Sequence, residues 1–186
     1  MEEKIDLRIQ KTYMALHNAF ESLLEEKRFE ELTVNELCQR AMIRRTTFYK
    51  HFADKYEYFS FYIQEMTRSF QERLPWDAQD GEAGAYMLNM SRELLHFLKE
   101  HSQFVRNIKD SSVFPMLLNI LVEQISDDFF LVLRRMGSAD LTKQEAQGVA
   151  AFYAGGLANI FFQYLKEDIP IEEEQLLETL SRLLIL

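Results

Sequence analysis

No stretch restricts this chain more than Leu32–Phe52, LTVNELCQRAMIRRTTFYKHF. Val34, Leu37, Cys38 and Ala41 recur at i, i+3, i+4 and i+7, which draws one apolar stripe along a helix. Thr33 stands just before that helix and Glu36 three residues on. This is the spacing of a capping box, in which the two side chains satisfy otherwise unpaired N–H groups of the first turn. After a break at Met42-Ile43-Arg44, a second short helix carries Phe48 and Phe52 one turn apart. Two short helices joined by a tight turn make a helix-turn-helix. Ala41 is small where the helices must cross closely, and Ile43 can fill the angle between them.

The second helix indicates what such a motif can touch. At about 100° per residue, Thr46 and Lys50 fall nearly opposite Phe48 and Phe52. Thr47 and Tyr49 lie on the flanks, and Arg44 and Arg45 stand at the N-terminal end. From Cys38 to Lys55 there are five basic residues against a single acid, Asp54. A cationic, hydroxyl-bearing helix of this kind suits the major groove of DNA. There Arg and Thr reach base edges, while Tyr, Lys and His reach phosphates.

These residues resemble the TetR family of bacterial transcriptional regulators. The family pattern opens the first helix with Thr-Val, turns through an Ala-Gly-Val-Ser-like sequence and continues Thr-Phe-Tyr-x-His-Phe, with Lys soon after. Here Thr33-Val34, Ala41, Thr47-Phe48-Tyr49, His51-Phe52 and Lys55 agree. Met42 stands where Gly is usual, and Arg44 where Ser often caps the recognition helix. Losing a Ser cap costs about 1 kcal/mol; a phosphate contact from Arg44 would offset it. The resemblance implies DNA contacts from Arg8, Lys11, Thr33, Arg44, Arg45, Thr46, Thr47, Tyr49, Lys50, His51 and Lys55. It further implies a homodimer in which the last two helices of each subunit pack as a four-helix interface. The residues expected there are Tyr153, Gly156, Leu157, Ile160, Phe161, Leu176, Leu180 and Leu183. A two-fold dimer in turn implies an inverted-repeat operator in double-stranded DNA. Beyond residue 55 the resemblance is architectural.

A net charge of −9 looks wrong for a DNA-binding chain, but residues 1–55 balance to zero and the remainder carries the whole deficit. Screening over about 8–10 Å lets the local balance decide. The composition, 47% hydrophobic and 27% charged, is that of a globular chain and excludes a disordered one. The reading divides it into a three-helix head, residues 1–53, and a larger helical regulatory and dimerisation body, residues 54–186. No apolar run approaches the roughly 18 residues of a membrane span. Met1 leads straight into EEKIDLR, without the apolar core of a signal peptide. The single Cys cannot form an internal disulfide. A cytoplasmic protein with no membrane partner is expected.

Along the chain, Ile9, Tyr13, Leu16, Phe20, Leu23 and Leu24 predict a first helix over 8–26. Asp54 is placed to cap a long helix from Lys55 to about Leu74, the link from head to body. Pro75 and the stretch DAQDGEAG break the chain. Helices follow over about 83–101, 102–111 (short), 113–136, 143–166 and 171–186, with Gly137 as a stop and Thr142 as a cap. No segment alternates with period two for long enough to be a strand. The expected fold is all-α with about nine helices.

Chemistry of other kinds finds no support. His96 and His101 are five apart and do not share a helix face, and His17 and His51 belong to separate head helices. No metal-ligand spacing, phosphate-cradling Gly loop or nucleophile with a paired base appears, so neither an enzyme nor a cofactor is expected. The aromatic-rich body leaves open a pocket for a small apolar or aromatic effector, with Tyr62, Phe97, Phe104, Phe114, Asn119, Phe130 and Phe152 as its candidate lining. Two readings stand. One is a repressor released by such an effector; the other is an activator or co-regulator whose body binds another protein.

Overall fold

The computed structural model describes residues 7–73, 83–135, 141–167 and 170–184. Among these there are nine α-helices and no strand. They are α1 (Leu7–Glu26), α2 (Val34–Arg40), α3 (Arg45–Phe48), α4 (Lys55–Arg73), α5 (Ala83–Glu100), α6 (Ser102–Lys109), α7 (Phe114–Arg135), α8 (Lys143–Leu165) and α9 (Glu173–Leu183). One 3-10 turn, Phe29–Glu31, lies between α1 and α2. The all-α expectation holds. Pro75, Trp76, most of the 77–84 break and the Gly137 stop lie outside the described residues, and the last two residues of that break, Ala83 and Gly84, already belong to α5.

The chain packs as two compact units, one of residues 1–63 with 101–115, the other of residues 64–100 with 116–186. The first therefore adds the opening turns of α4, and α6, to the helix-turn-helix. Its core is aromatic. Phe20, Phe29, Phe48, Tyr58 and Phe59 are fully buried, with Phe52 and Tyr62 close behind. Phe20 meets Tyr58 edge-on at 5.2 Å between centroids, Phe52 meets Tyr58 at 5.0 Å, and Phe29 meets Phe59 at 5.3 Å. Such edge contacts favour one arrangement of rings over sliding alternatives. α4 starts where Asp54 Oδ1 accepts the N–H groups of Tyr56 (2.8 Å) and Glu57 (2.9 Å), the cap its position predicts. α6 is pinned to α1 by Asn107, whose side-chain amide donates to the Leu24 carbonyl at 2.7 Å.

The core of the second unit is richer in aliphatic side chains. Met87 and Leu95 of α5, Phe129, Val132 and Leu133 of α7, Ala150, Leu157 and Phe161 of α8, and Leu176 and Leu180 of α9 form its core. Thr142 and Glu145 close a capping box at the start of α8. Gly84 lies so close to the end of α9 that a Cβ there would overlap the Leu184 carbonyl oxygen. Glycine is what allows α5 and α9 to meet.

Candidate nucleic-acid interface

The approach to the recognition helix is locked by ion pairs. The Thr33 hydroxyl accepts the Glu36 N–H (3.2 Å) and donates to Glu36 Oε2 (2.8 Å), which also takes the Thr33 N–H (3.0 Å). Lys27 Nζ holds the other oxygen of Glu36 at 2.6 Å. Lys27 first, then Thr33, pull the Glu36 carboxyl down to about 2. Arg40 grips Glu26 with both guanidinium nitrogens, at 2.8 and 2.9 Å. That hydrogen bonding lowers the Glu26 carboxyl and raises the guanidinium.

The turn then closes as a Schellman motif. The Ile43 N–H donates to the Cys38 carbonyl at 3.0 Å and the Met42 N–H to the Gln39 carbonyl at 3.2 Å. This pair of bonds requires a left-handed residue between them, and Met42 supplies it at φ 55°. A residue with a Cβ is strained there by about 1–2 kcal/mol, and Met42 is 93% exposed, so no packing offsets that.

α3 begins from Arg44 in extended backbone, with no side-chain cap. The Arg44 carbonyl takes the N–H groups of Thr47 (2.8 Å) and Phe48 (3.2 Å). What fixes this four-residue helix is Phe48, wholly buried and edge-on to Tyr49 at 5.5 Å, followed by Phe52. Arg44, Arg45, Thr46 and Lys50 are exposed, and Tyr49 is 48% exposed beneath the Arg45 guanidinium, 5.8 Å from its ring centre. Among the described residues, none of Arg44, Arg45 and Lys50 has a carboxylate partner, whereas Lys27 and Arg40 each have one.

A family model described as "Transcriptional regulator C-terminal region", from the TetR set, matches residues 86–186, more than half of the chain. The chain belongs to the TetR family. Over 64 residues it is 39% identical to the uncharacterized HTH-type transcriptional regulator YxbF of Bacillus subtilis, a stretch covering 34% of this chain. The chain spans only 17% of that relative's length by this match. In fold it is similar to the dihydroxyacetone kinase operon activator DhaS (TM-score 0.64, 19% identity, 94% of each chain covered). It is also similar to a TetR-family transcriptional regulator from Syntrophomonas wolfei (TM-score 0.65, 9% identity, 94% of this chain and 93% of that one). The TetR family is one of transcriptional regulators, and the matched part of this chain is their C-terminal region.

Two residues expected to touch DNA have other work in this regulator. Lys55 Nζ donates to the carbonyls of Phe29 (2.9 Å), Glu30 (3.0 Å) and Leu32 (2.8 Å), which uses all three ammonium protons to close the 3-10 turn. The Thr33 hydroxyl proton goes to Glu36, so it is not available to a phosphate. His51 is half-buried, with Nδ1 3.3 Å from the Tyr13 hydroxyl, and Thr47, four residues before it, is also half-buried. Arg8 and Lys11 are exposed on α1.

The candidate effector lining does not assemble within one unit. Tyr62, Phe104 and Phe114 are buried in the first, with Tyr62 and Phe104 6.1 Å apart, while Phe97, Asn119, Phe130 and Phe152 belong to the second. Asn119 is exposed, and Phe152 is 76% exposed on α8. The expected interface set divides too. Leu157, Phe161, Leu176 and Leu180 are buried in the chain's own core, with Leu180 1% exposed, and Tyr153 and Ile160 pack against it. Gly156 and Leu183 are exposed. An apolar stripe carries the same period whether it is buried by its own chain or by a second copy, so the sequence could not separate the two.

Sequence reasoning missed three features of the head: the Arg40–Glu26 pair across 14 residues, the Tyr62 hydroxyl on Glu21 at 2.8 Å, and the Asn107 tie to α1. All depend on long-range packing and have no local signature. Among the described residues, no helix is long and apolar enough to cross a membrane, and no group of His, Cys, Asp and Glu could hold a metal ion.

Proposed function

We propose that this regulator acts in the cytoplasm as a homodimer that binds an inverted-repeat operator, its 1–53 head inserting α3 into the major groove. The observation that carries this is the uncompensated charge at and around α3: Arg44, Arg45 and Lys50 are exposed without an acid partner among the described residues, about a helix anchored by Phe48. Lys50 and the Tyr49 hydroxyl suit phosphates, while Arg45 and Thr46 suit base edges. The exposed face of α8 supports pairing with a second copy. Bound at the operator, such a dimer blocks transcription, and an apolar effector in the body releases it to the extent that it binds the free form more tightly.

Activation is the second reading, favoured by the similarity in fold to an operon activator. The two are separated by mapping bound DNA across the genome and measuring transcription from the bound promoters with and without the regulator. Expression that rises on its removal supports repression, and expression that falls supports activation. Absence of any enriched site would sink the operator reading altogether.

A further inference from the structure

We infer that Met42 lays its thioether side chain on the apolar carbon surface of the operator, a thymine C5-methyl or a deoxyribose, and so adds an apolar contact beside the polar ones of α3. This rests on the docking of α3 proposed above and deepens it. Three observations carry it. The Schellman bonds of Ile43 and Met42 demand a left-handed residue, for which glycine is the unstrained choice, yet φ 55° is imposed on a methionine. The side chain is 93% exposed, so the fold of the head gains nothing from it. Strain without an internal return, held at a turn by well-formed bonds, points outward to a partner. That partner is identified by the neighbours: Arg44 and Arg45 follow within three residues, exposed and without a carboxylate among the described residues, and they draw a polyanion to this turn. An unbranched, polarisable chain with three rotatable bonds adapts to the methyl and sugar carbons between phosphates, and a thymine methyl is one of the groups that distinguishes bases in the major groove.

The test uses the full chain and the tightest duplex it selects from a randomised library. Met42→Gly removes the side chain and relieves the backbone; Met42→Leu keeps both the apolar bulk and the strain. Met42→Gly should bind about three- to tenfold more weakly, the scale of one or two methylenes leaving an apolar contact, with a melting temperature no lower than that of the wild type. Met42→Leu should bind within about twofold of the wild type. The dependence of affinity on salt should be the same for all three, because no phosphate contact is lost. Replacing each thymine of the duplex by uracil in turn then names the surface. One position that weakens the wild type and leaves Met42→Gly unchanged identifies a methyl; no such position assigns the contact to deoxyribose. Equal binding by the wild type and Met42→Gly, or Met42→Leu as weak as Met42→Gly, overturns this inference alone. Failure of the wild type to select any duplex overturns the docking of α3 and this inference with it.

Discussion

In the first unit, the exposed side chains that the fold leaves without a partner at α3 are cations: Arg44, Arg45 and Lys50. In the second, one exposed face of α8 is made of small residues and one protruding ring. Phe152 is 76% exposed on α8, and Gly148, Ala151, Gly155 and Asn159 share its side of the helix, with Gly156 at the edge. A Cβ added at any of the three glycines would meet nothing within 4 Å. Glycine inside a helix costs about 1 kcal/mol relative to alanine, and at these three positions the single chain has no crowding to justify it. Surplus positive charge is matched by an anion, while a smooth face with one protruding ring is matched by another backbone. Under the proposed function the two units would address different partners, DNA and a second copy, and each half of that proposal can be broken separately.

The largest effect should come from an experiment that needs both halves at once. A two-fold dimer sets two copies of α3 about 34–36 Å apart, one turn of the duplex. Five base pairs inserted at the operator centre turn one half-site to the opposite side of the DNA. Affinity should then fall about 10³-fold or more, to the non-specific level, in mobility-shift titrations at fixed salt. Ten inserted base pairs restore the side but not the distance, and a rigid dimer should recover only in part. Equal affinity on all three spacings would mean that the heads bind independently.

Next in size is Phe152→Glu. A carboxylate placed between two apolar faces loses its water, and about 3 kcal/mol of penalty is about a hundredfold in the dimer dissociation constant. Sedimentation equilibrium should show monomer where the wild type is dimer, with the helical content of the chain intact, since Phe152 is exposed in the single chain. The contrasting substitution, Leu180→Glu, should unfold the second unit, because Leu180 belongs to its core. A wild type that sediments as a monomer at micromolar concentration counts decisively against the pairing of α8.

The head's half of the comparison is sharpened by Lys50→Ala. An exposed ammonium without an acid partner is positioned for a phosphate and not for the fold. Its removal should weaken binding roughly equally on specific and unrelated duplexes and reduce the slope of log affinity against log salt by about one. An unchanged slope would place Lys50 away from the DNA backbone.

How far each unit could be read from sequence follows the same contrast. The head is built on local signals. Thr33 and Glu36, Asp54, and the i, i+4 pair Phe48 and Phe52 each name their role by spacing, and the structure returns each of them. At Lys55 the side chain is cationic as expected, and its partners are backbone carbonyls more than twenty residues away that packing brought close. In the second unit the helices were legible and their neighbours were not. Leu180 and Leu183 lie one turn apart on the same helix, yet one is 1% and the other 56% exposed. Nothing in their chemistry says which leucine meets the chain's own core, and only the packing of α9 decides it.

The smallest expected effect concerns a half-buried histidine at the junction of α1 and α4. His17 Nε2 and the Tyr58 hydroxyl are both buried without a hydrogen-bond partner among the described residues. The imidazole packs edge-on to Tyr62 at 5.3 Å and lies 5.9 Å from Phe61 and 6.2 Å from Tyr58, while Tyr62 donates its hydroxyl to Glu21, one turn along α1. Burial lowers the His17 pKa, so the folded chain holds the ring neutral where the unfolded chain would protonate it. The unfolded state then binds more protons, and stability must rise with pH. The contribution is complete above the unfolded value of about 6.5 and is lost as pH falls below it. His17→Phe keeps the ring, removes the unpaired nitrogen and removes the proton site. Its urea midpoint at pH 7.5 should equal or exceed that of the wild type, because replacing an unsatisfied buried polar group by an apolar one of similar shape is close to neutral or stabilising. Between pH 7.5 and 5.5 the wild-type midpoint should fall more steeply than that of the variant. The Glu36 carboxyl, held near 2, titrates in the folded chain well below this range. Parallel pH profiles for the two proteins would show that His17 is solvated through an opening of the α1–α4 junction, and the head would then have to be looser there than its aromatic packing indicates.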